Sequence, residues 1–87
     1  MTGEAPADLG RELALLLLRY RIRNGKLSQR QLAAVLGWKQ PQVALMELGG
    51  ANPTIKTLRH LAETLGCEIN IVMVGSRFEV SISWPDN

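Results

Sequence analysis

The chain has 87 residues, 46% of them hydrophobic, and its single cysteine, Cys67, rules out an intrachain disulfide or a multi-thiol metal site. This length suits one domain near the lower limit of unaided folding, and the longest apolar run, the six residues Leu13 to Leu18, falls far short of the roughly 18 that a membrane span needs. The formal charge of +2 hides a strong polarity: from Arg19 to Arg59 eight basic residues face only Glu47, giving +7, while the flanks sum to −5. Such polarity points to an anionic partner for the central segment, the alternative being solvated faces.

Residues 1–8, with Gly3 and Pro6, read as a disordered tail without the basic region of a signal peptide, so a soluble, cytoplasmic chain is expected. Asp8 is a candidate N-cap for a first helix over 9–23, closed by Asn24-Gly25. Leu9, Leu13, Leu16, Leu17 and Tyr20 recur at helical spacing, and Leu15, Leu18 and Ile22 widen the stripe toward more than one neighbour. Ser28, with Gln31 three residues later, has the capping-box pattern that opens a second helix. Leu32, Val35 and Leu36 form its apolar face and Gly37 ends it. A third helix is expected over 40–48, with Pro41 in its first turn, where a missing N–H costs nothing, and Gly49-Gly50 behind it. Thr54 caps a fourth helix lined by Ile55, Leu58, Leu61, Ala62 and Leu65 and stopped by Gly66.

At Cys67 the apolar period changes from 3.6 to 2. Gly75-Ser76 predicts a two-residue hairpin turn of type II′. Pairing outward from it sets Met73 against Phe78, Ile71 against Val80, Ile69 against Ile82 and Cys67 against Trp84, all apolar. The other face pairs Val74 with Arg77, Val72 with Glu79, Asn70 with Ser81 and Glu68 with Ser83, and is mostly polar. An isolated ribbon is marginal in water. The face made by Ile69, Ile71, Met73, Phe78, Val80, Ile82 and Trp84 is therefore expected either to pack on the helices or to dimerise.

The stretch from Gln29 to Leu48 satisfies what two steeply crossing helices demand. Ala33 supplies a small residue at the crossing, and Gly37 four residues later supplies a left-handed turn. Leu32, Leu36, Trp38, Val43 and Met46 supply a shared core. Over residues 27–66 the elements "LSQRQLA", "QPQV…E..G", "NPTIKTL" and "LAETLG" resemble the Cro/repressor-type (XRE) helix-turn-helix domains. With its continuation into "CEINIVMV" the chain is also similar to small antitoxins of the host-inhibition-of-growth type.

The resemblance implies a mainly α fold: a four-helix repressor-like domain over 9–66 with a C-terminal β-hairpin over 67–84. It further implies a homodimer on a palindromic operator, with the third helix in the major groove of double-stranded DNA. Gln40 matches a base-reading position, and a glutamine can bond adenine N6 and N7 together. Gln42 is a second candidate, for base or phosphate. Gln29 and Lys39 match backbone-contacting positions, and Gln29 opens a helix whose free N–H groups welcome a phosphate. Arg30, Lys56 and Arg59 are further phosphate candidates, each of which could equally be solvated. Ala44 and Leu45 depart from the polar residues of many relatives. They are candidates for thymine methyls, or with Leu48 for a protein contact. In relatives the acid matching Glu47 pairs with an arginine of the first helix, here Arg19 or Arg21.

His60 has no ligating neighbour in sequence and reads as structural. No catalytic set, phosphate loop or metal spacing is present, so neither an enzyme nor a cofactor or metal is expected. Three readings stay open: a free-standing repressor, an antitoxin that also binds a toxin protein, and a protein-interaction module without DNA binding.

Overall fold

A computed structural model describes residues 7–85, apart from the side chains of Ala7, Asp8, Arg77 and Phe78. Four helices, α1 (Ala7–Arg23), α2 (Gln29–Leu36), α3 (Gln40–Glu47) and α4 (Ile55–Leu65), precede two antiparallel strands, β1 (Glu68–Val74) and β2 (Arg77–Ser83). This is the mainly α architecture with a terminal hairpin that the sequence predicts. Residues 1–6 of the expected tail lie outside the described residues. Asp8 stands inside α1 rather than ahead of it, and its side chain is also outside them.

The local signals account for the helix ends. Ser28 Oγ accepts from the Gln31 N–H at 3.0 Å, and Gln31 Oε1 accepts from the Ser28 N–H at 2.8 Å, completing the capping box. Thr54 Oγ1 caps α4 by accepting from the Thr57 N–H. Gly37, with φ of 72°, turns α2 toward α3 in the left-handed region that a side chain would disfavour.

Leu9, Leu13, Leu16 and Leu17 of α1 meet Leu32, Ala33 and Leu36 of α2, Val43 and Met46 of α3, and Leu58, Leu61 and Leu65 of α4 in one core. Ala33 is buried where α2 and α3 cross, as its size requires. Three expectations about the apolar faces are corrected. Leu18 and Ile22 of α1, Val35 of α2 and Ile55 of α4 are all exposed. In each case helical periodicity extends a stripe beyond the arc that neighbouring helices cover. Gly10, which periodicity left unremarked, is where α1 touches the loop after α3. A Cβ there would collide with the Gly49 carbonyl oxygen.

The hairpin register agrees pair by pair with the expected one from Glu68↔Ser83 to Val74↔Arg77, while Cys67 and Trp84 lie just beyond the strands. Gly75 has φ of 61° and Ser76 has no positive φ, as a type II′ turn requires. Among the described side chains of the apolar face, those at its base pack against the core: Ile69, Val80, Ile82 and Trp84. Trp84 stacks on Tyr20 of α1 at 6.4 Å and lies under the Arg23 guanidinium at 5.0 Å. Ile71 and Met73, farther out, are exposed. The Phe78 side chain lies outside the described residues.

Candidate nucleic-acid interface

A chain of polar side chains crosses from α1 to the first residue of α3. Arg21 donates through Nε to Glu47 Oε2 at 2.9 Å and through Nη2 to Glu47 Oε1 at 2.7 Å. Its Nη1 donates to the Leu27 carbonyl at 3.1 Å, anchoring the loop that enters α2. Gln29 Nε2 donates to Glu47 Oε1 at 2.8 Å, and Gln40 Nε2 donates to Gln29 Oε1 at 2.9 Å. Of the two arginines that could pair with Glu47, Arg21 does so.

Chemistry fixes the direction of this chain. An ionised carboxylate only accepts, so Gln29 must turn its NH₂ toward Glu47 and its carbonyl oxygen away. That oxygen in turn requires a donor from Gln40. The Gln40 amide keeps one N–H and its Oε1 free, which together form the donor–acceptor edge that adenine's N7 and N6 match. Burial opposes ionisation of Glu47, but the hydrogen bonds from Arg21 and Gln29 and the Arg21 charge outweigh it. They hold the carboxyl below its ordinary range. Hydrogen bonding to Glu47, with that carboxylate's charge, raises Arg21 in spite of its burial, so both partners stay charged.

The other predicted residues lie on α2, α3 and α4, with Arg59 beside Ile69 and Ile71 of β1 rather than beside this chain. Lys39 is exposed directly before α3, and Arg30 is exposed in the first turn of α2. Lys56 and Arg59 are exposed on α4. Gln42 has a second task that sequence reading did not assign: its Oε1 accepts from the Lys39 N–H at 3.1 Å, closing the start of α3. The signal was available, since Lys39 and Gln42 have the same three-residue offset as Ser28 and Gln31.

At about 100° per residue, Pro41, Ala44, Leu45 and Leu48 fall on the side of α3 opposite Val43 and Met46, with Gln40 and Gln42 on its two flanks. Leu45 is 66% and Leu48 80% exposed, whereas Ala44 is half-buried. Gln42 and Leu45 also border an open, mainly apolar cleft of about 460 Å³ that runs past Trp38 to Ala51 and Pro53. His60 is structural, as expected: it bonds through Nε2 to the Leu36 carbonyl at 2.7 Å and lies 6.1 Å from the Trp38 ring. It therefore braces the turn between α2 and α3 from α4. Among the described residues no group of His, Cys, Asp and Glu side chains could hold a metal ion, and no helix is long and apolar enough to cross a membrane.

Comparison with known proteins agrees with this geometry. An uncharacterized HTH-type transcriptional regulator of Haemophilus influenzae is 44% identical over 46 residues, which are 53% of this chain and 47% of the relative. The chain thus spans about half the length of that curated relative. No solved structure matches the chain. The helix-turn-helix family model matches residues 17–72, which take in the end of α1, all of α2, α3 and α4, and the whole polar chain from Arg21 to Glu47. On that match and on the Cro/repressor-type pattern of α2 and α3, the chain belongs to the helix-turn-helix family.

Proposed function

We propose that this protein is a sequence-specific DNA-binding transcription regulator, a repressor that meets a palindromic operator as a homodimer with α3 in the major groove. The observation that carries this reading is the Gln40 amide. It sits at the first residue of α3, is oriented through Gln29 by Glu47, and keeps its donor–acceptor edge open within the +7 segment. In this reading Lys39, Arg30, Lys56 and Arg59, with Gln29 and the N-terminal N–H groups of α2, hold phosphates and set affinity. Gln40 selects its base, Leu45 and Ala44 meet thymine methyls, and Gln42 contributes the N–H groups that its capping bond leaves free. Two copies then engage half-sites about 34 Å apart. The protein acts by binding, without catalysis, in the cytoplasm.

The test is a pair of variants on footprinted upstream DNA. Gln40→Ala should cost about 1–3 kcal/mol on the preferred operator and relax preference at one base pair, whereas Lys39→Ala should weaken all duplexes alike. Equal losses for Gln40→Ala on specific and random duplex would remove the base-reading role.

A protein contact on the α3 surface is a second reading, favoured by the exposure of Leu45 and Leu48 beside the apolar cleft. It covers both an interaction module and an antitoxin that holds a toxin protein. Absence of any affinity for random duplex at low salt would favour the module alone. Co-purification with the product of an adjoining gene would favour the antitoxin.

A further inference from the structure

The hairpin's two-residue turn and its register decide which backbone groups of β1 are occupied. Val74 and Arg77 flank the turn and form a hydrogen-bonded pair, so Val72 and Asn70 also direct N–H and C=O toward β2. Ile69, Ile71 and Met73 alternate with them and direct theirs to the opposite side. Among the described residues the sheet has two strands, and that side of β1 is an open edge.

Three features make this edge unlike a protected one. From Ile69 to Ser76 the chain carries no charge, whereas β2 carries Arg77 and Glu79. Natural edge strands are ordinarily guarded by charge, proline or a bulge; β1 carries a charge only at its first residue, Glu68, and none of these guards from Ile69 to Val74. Both faces of the outer strand are apolar and exposed: Ile71 37% and Met73 65% on one, Val72 54% and Val74 41% on the other. Beside it, Ile55 of α4, itself 68% exposed, Arg59, Ile69 and Ile71 wall a groove of about 220 Å³ above Leu58 and Ala62.

We propose that the open edge of β1 is the seam of the homodimer, joined by antiparallel β1–β1 pairing about a two-fold axis at Ile71. The proposal rests on the dimeric reading given above and names the surface that makes it. A two-fold axis there sets Ile71 against the partner's Ile71 and Ile69 against the partner's Met73. Every outward N–H and C=O of these three residues then meets its complement on the other chain. About this axis Glu68, the one charged residue of β1, stands opposite the partner's Val74, so the pairing opposes no like charges. This favours a second copy over a foreign segment. The partner's Met73, flexible and unbranched, lies across the seam from Ile69 on the face that holds the groove, and fills it. The two-stranded ribbons become one four-stranded sheet, which removes the marginal stability of each alone.

The experiment is sedimentation equilibrium of the full chain and of Ile71→Lys, which would oppose two lysines at the axis. Disulfide trapping of Ile71→Cys and of Ser81→Cys is done alongside, each in a Cys67→Ala background. Wild type should be a dimer and Ile71→Lys a monomer of unchanged helical circular dichroism. Its affinity for a two-half-site duplex should fall about a hundredfold, while that for a single half-site is retained. Ile71→Cys should trap a dimer, since directly opposed residues of a hydrogen-bonded pair sit about 5.5 Å apart, and Ser81→Cys should not. Trapping through Ser81→Cys alone, or a dimer that persists in Ile71→Lys, overturns the β1 seam and leaves the dimeric reading standing. A monomeric wild type with no preference for paired half-sites removes both. Protection of residues 69–74 from hydrogen exchange only on addition of a different protein shows that the edge serves another partner, and also overturns the proposal.

Discussion

Glu47 lies two helical turns from Gln40, yet it governs how that glutamine is presented, because it is the member of the polar chain that can only accept. Glu47→Gln replaces an acceptor of three donors with an amide that has one oxygen and an NH₂ of its own, so at least one donor from Arg21 or Gln29 loses its partner. Leaving a part-buried donor unsatisfied costs about 1–3 kcal/mol of stability, readable in a urea titration. On DNA, Glu47→Gln should flatten base preference at the Gln40 position while leaving affinity for random duplex nearly unchanged. Loss of random-duplex affinity equal to that on the operator would show that the chain serves folding only. The pH dependence follows from the same geometry. The Glu47 carboxyl is held below its ordinary range in the fold, so the folded state takes up its proton later than the unfolded state does. Its stabilisation is complete above the unfolded value of about 4.3 and is lost as pH falls through the lower folded value. Wild type should therefore lose more urea resistance between about pH 5 and 3 than Glu47→Gln does, a difference that cancels the contributions of the other acids.

At the scale of elements, two glycines that flank the same contact should behave oppositely. A methyl on Gly10 meets the Gly49 carbonyl and approaches the Ala51 oxygen at 3.2 Å, all of it backbone that cannot swing aside. Gly10→Ala should accordingly destabilise by about 1–3 kcal/mol. Gly50 has open space and no positive φ, so Gly50→Ala should be neutral or stabilise by about 0.4–1 kcal/mol through the unfolded chain. Thermal melts of the two variants check both, and equal effects would contradict the close approach of α1. This contrast also marks what the sequence could convey. Caps and turns are local chemistry, so Ser28, Gly37, Thr54 and Gly75 announce their elements, and the hairpin register follows by counting from the turn. Close approach between α1 and the loop after α3 is not local, and nothing in the run Asp8-Leu9-Gly10-Arg11 signals it. Periodicity likewise ranks Ile55, Val35, Leu18 and Ile22 as apolar-face residues but cannot say how wide an arc the neighbours cover. For the interface, the resemblance to the Cro/repressor-type domains singles out Gln29, Gln40 and Glu47 separately. Their connection requires α1, α2 and α3 to meet, which only the folded chain provides.

For the whole molecule, the decisive quantity is where the charge lies. A net charge of +2 would give weak, nearly salt-insensitive attraction to a polyanion if it were spread evenly. Instead α2, α3, the start of α4 and the last turns of α1 hold the +7 segment, while every acid except Glu47 precedes Arg19 or follows Arg59, among them Glu12 on α1, Glu63 on α4, and Glu68 and Glu79 on the hairpin. The proposed phosphate-holding residues (Arg30, Lys39, Lys56 and Arg59) all come from that segment and all are exposed. Each phosphate they neutralise releases condensed counterions, so the logarithm of affinity should fall with the logarithm of salt at a slope of about −0.9 per contact. Four such contacts per copy predict a slope of about −3 to −4 for a single half-site, far steeper than the net charge suggests. Lys39→Ala should reduce that slope by about one on operator and random duplex alike, because a phosphate contact carries no base information. Gln40→Ala should leave the slope unchanged while lowering operator affinity. A wild-type slope near zero would mean that the basic segment is merely solvated and would remove the DNA reading, with the Gln40 amide left as a structural end to the Arg21–Glu47 chain. A steep slope that none of the four single variants alters would instead place the phosphates elsewhere on the segment, on Arg19, Arg23 or Lys26 at the junction of α1 and α2.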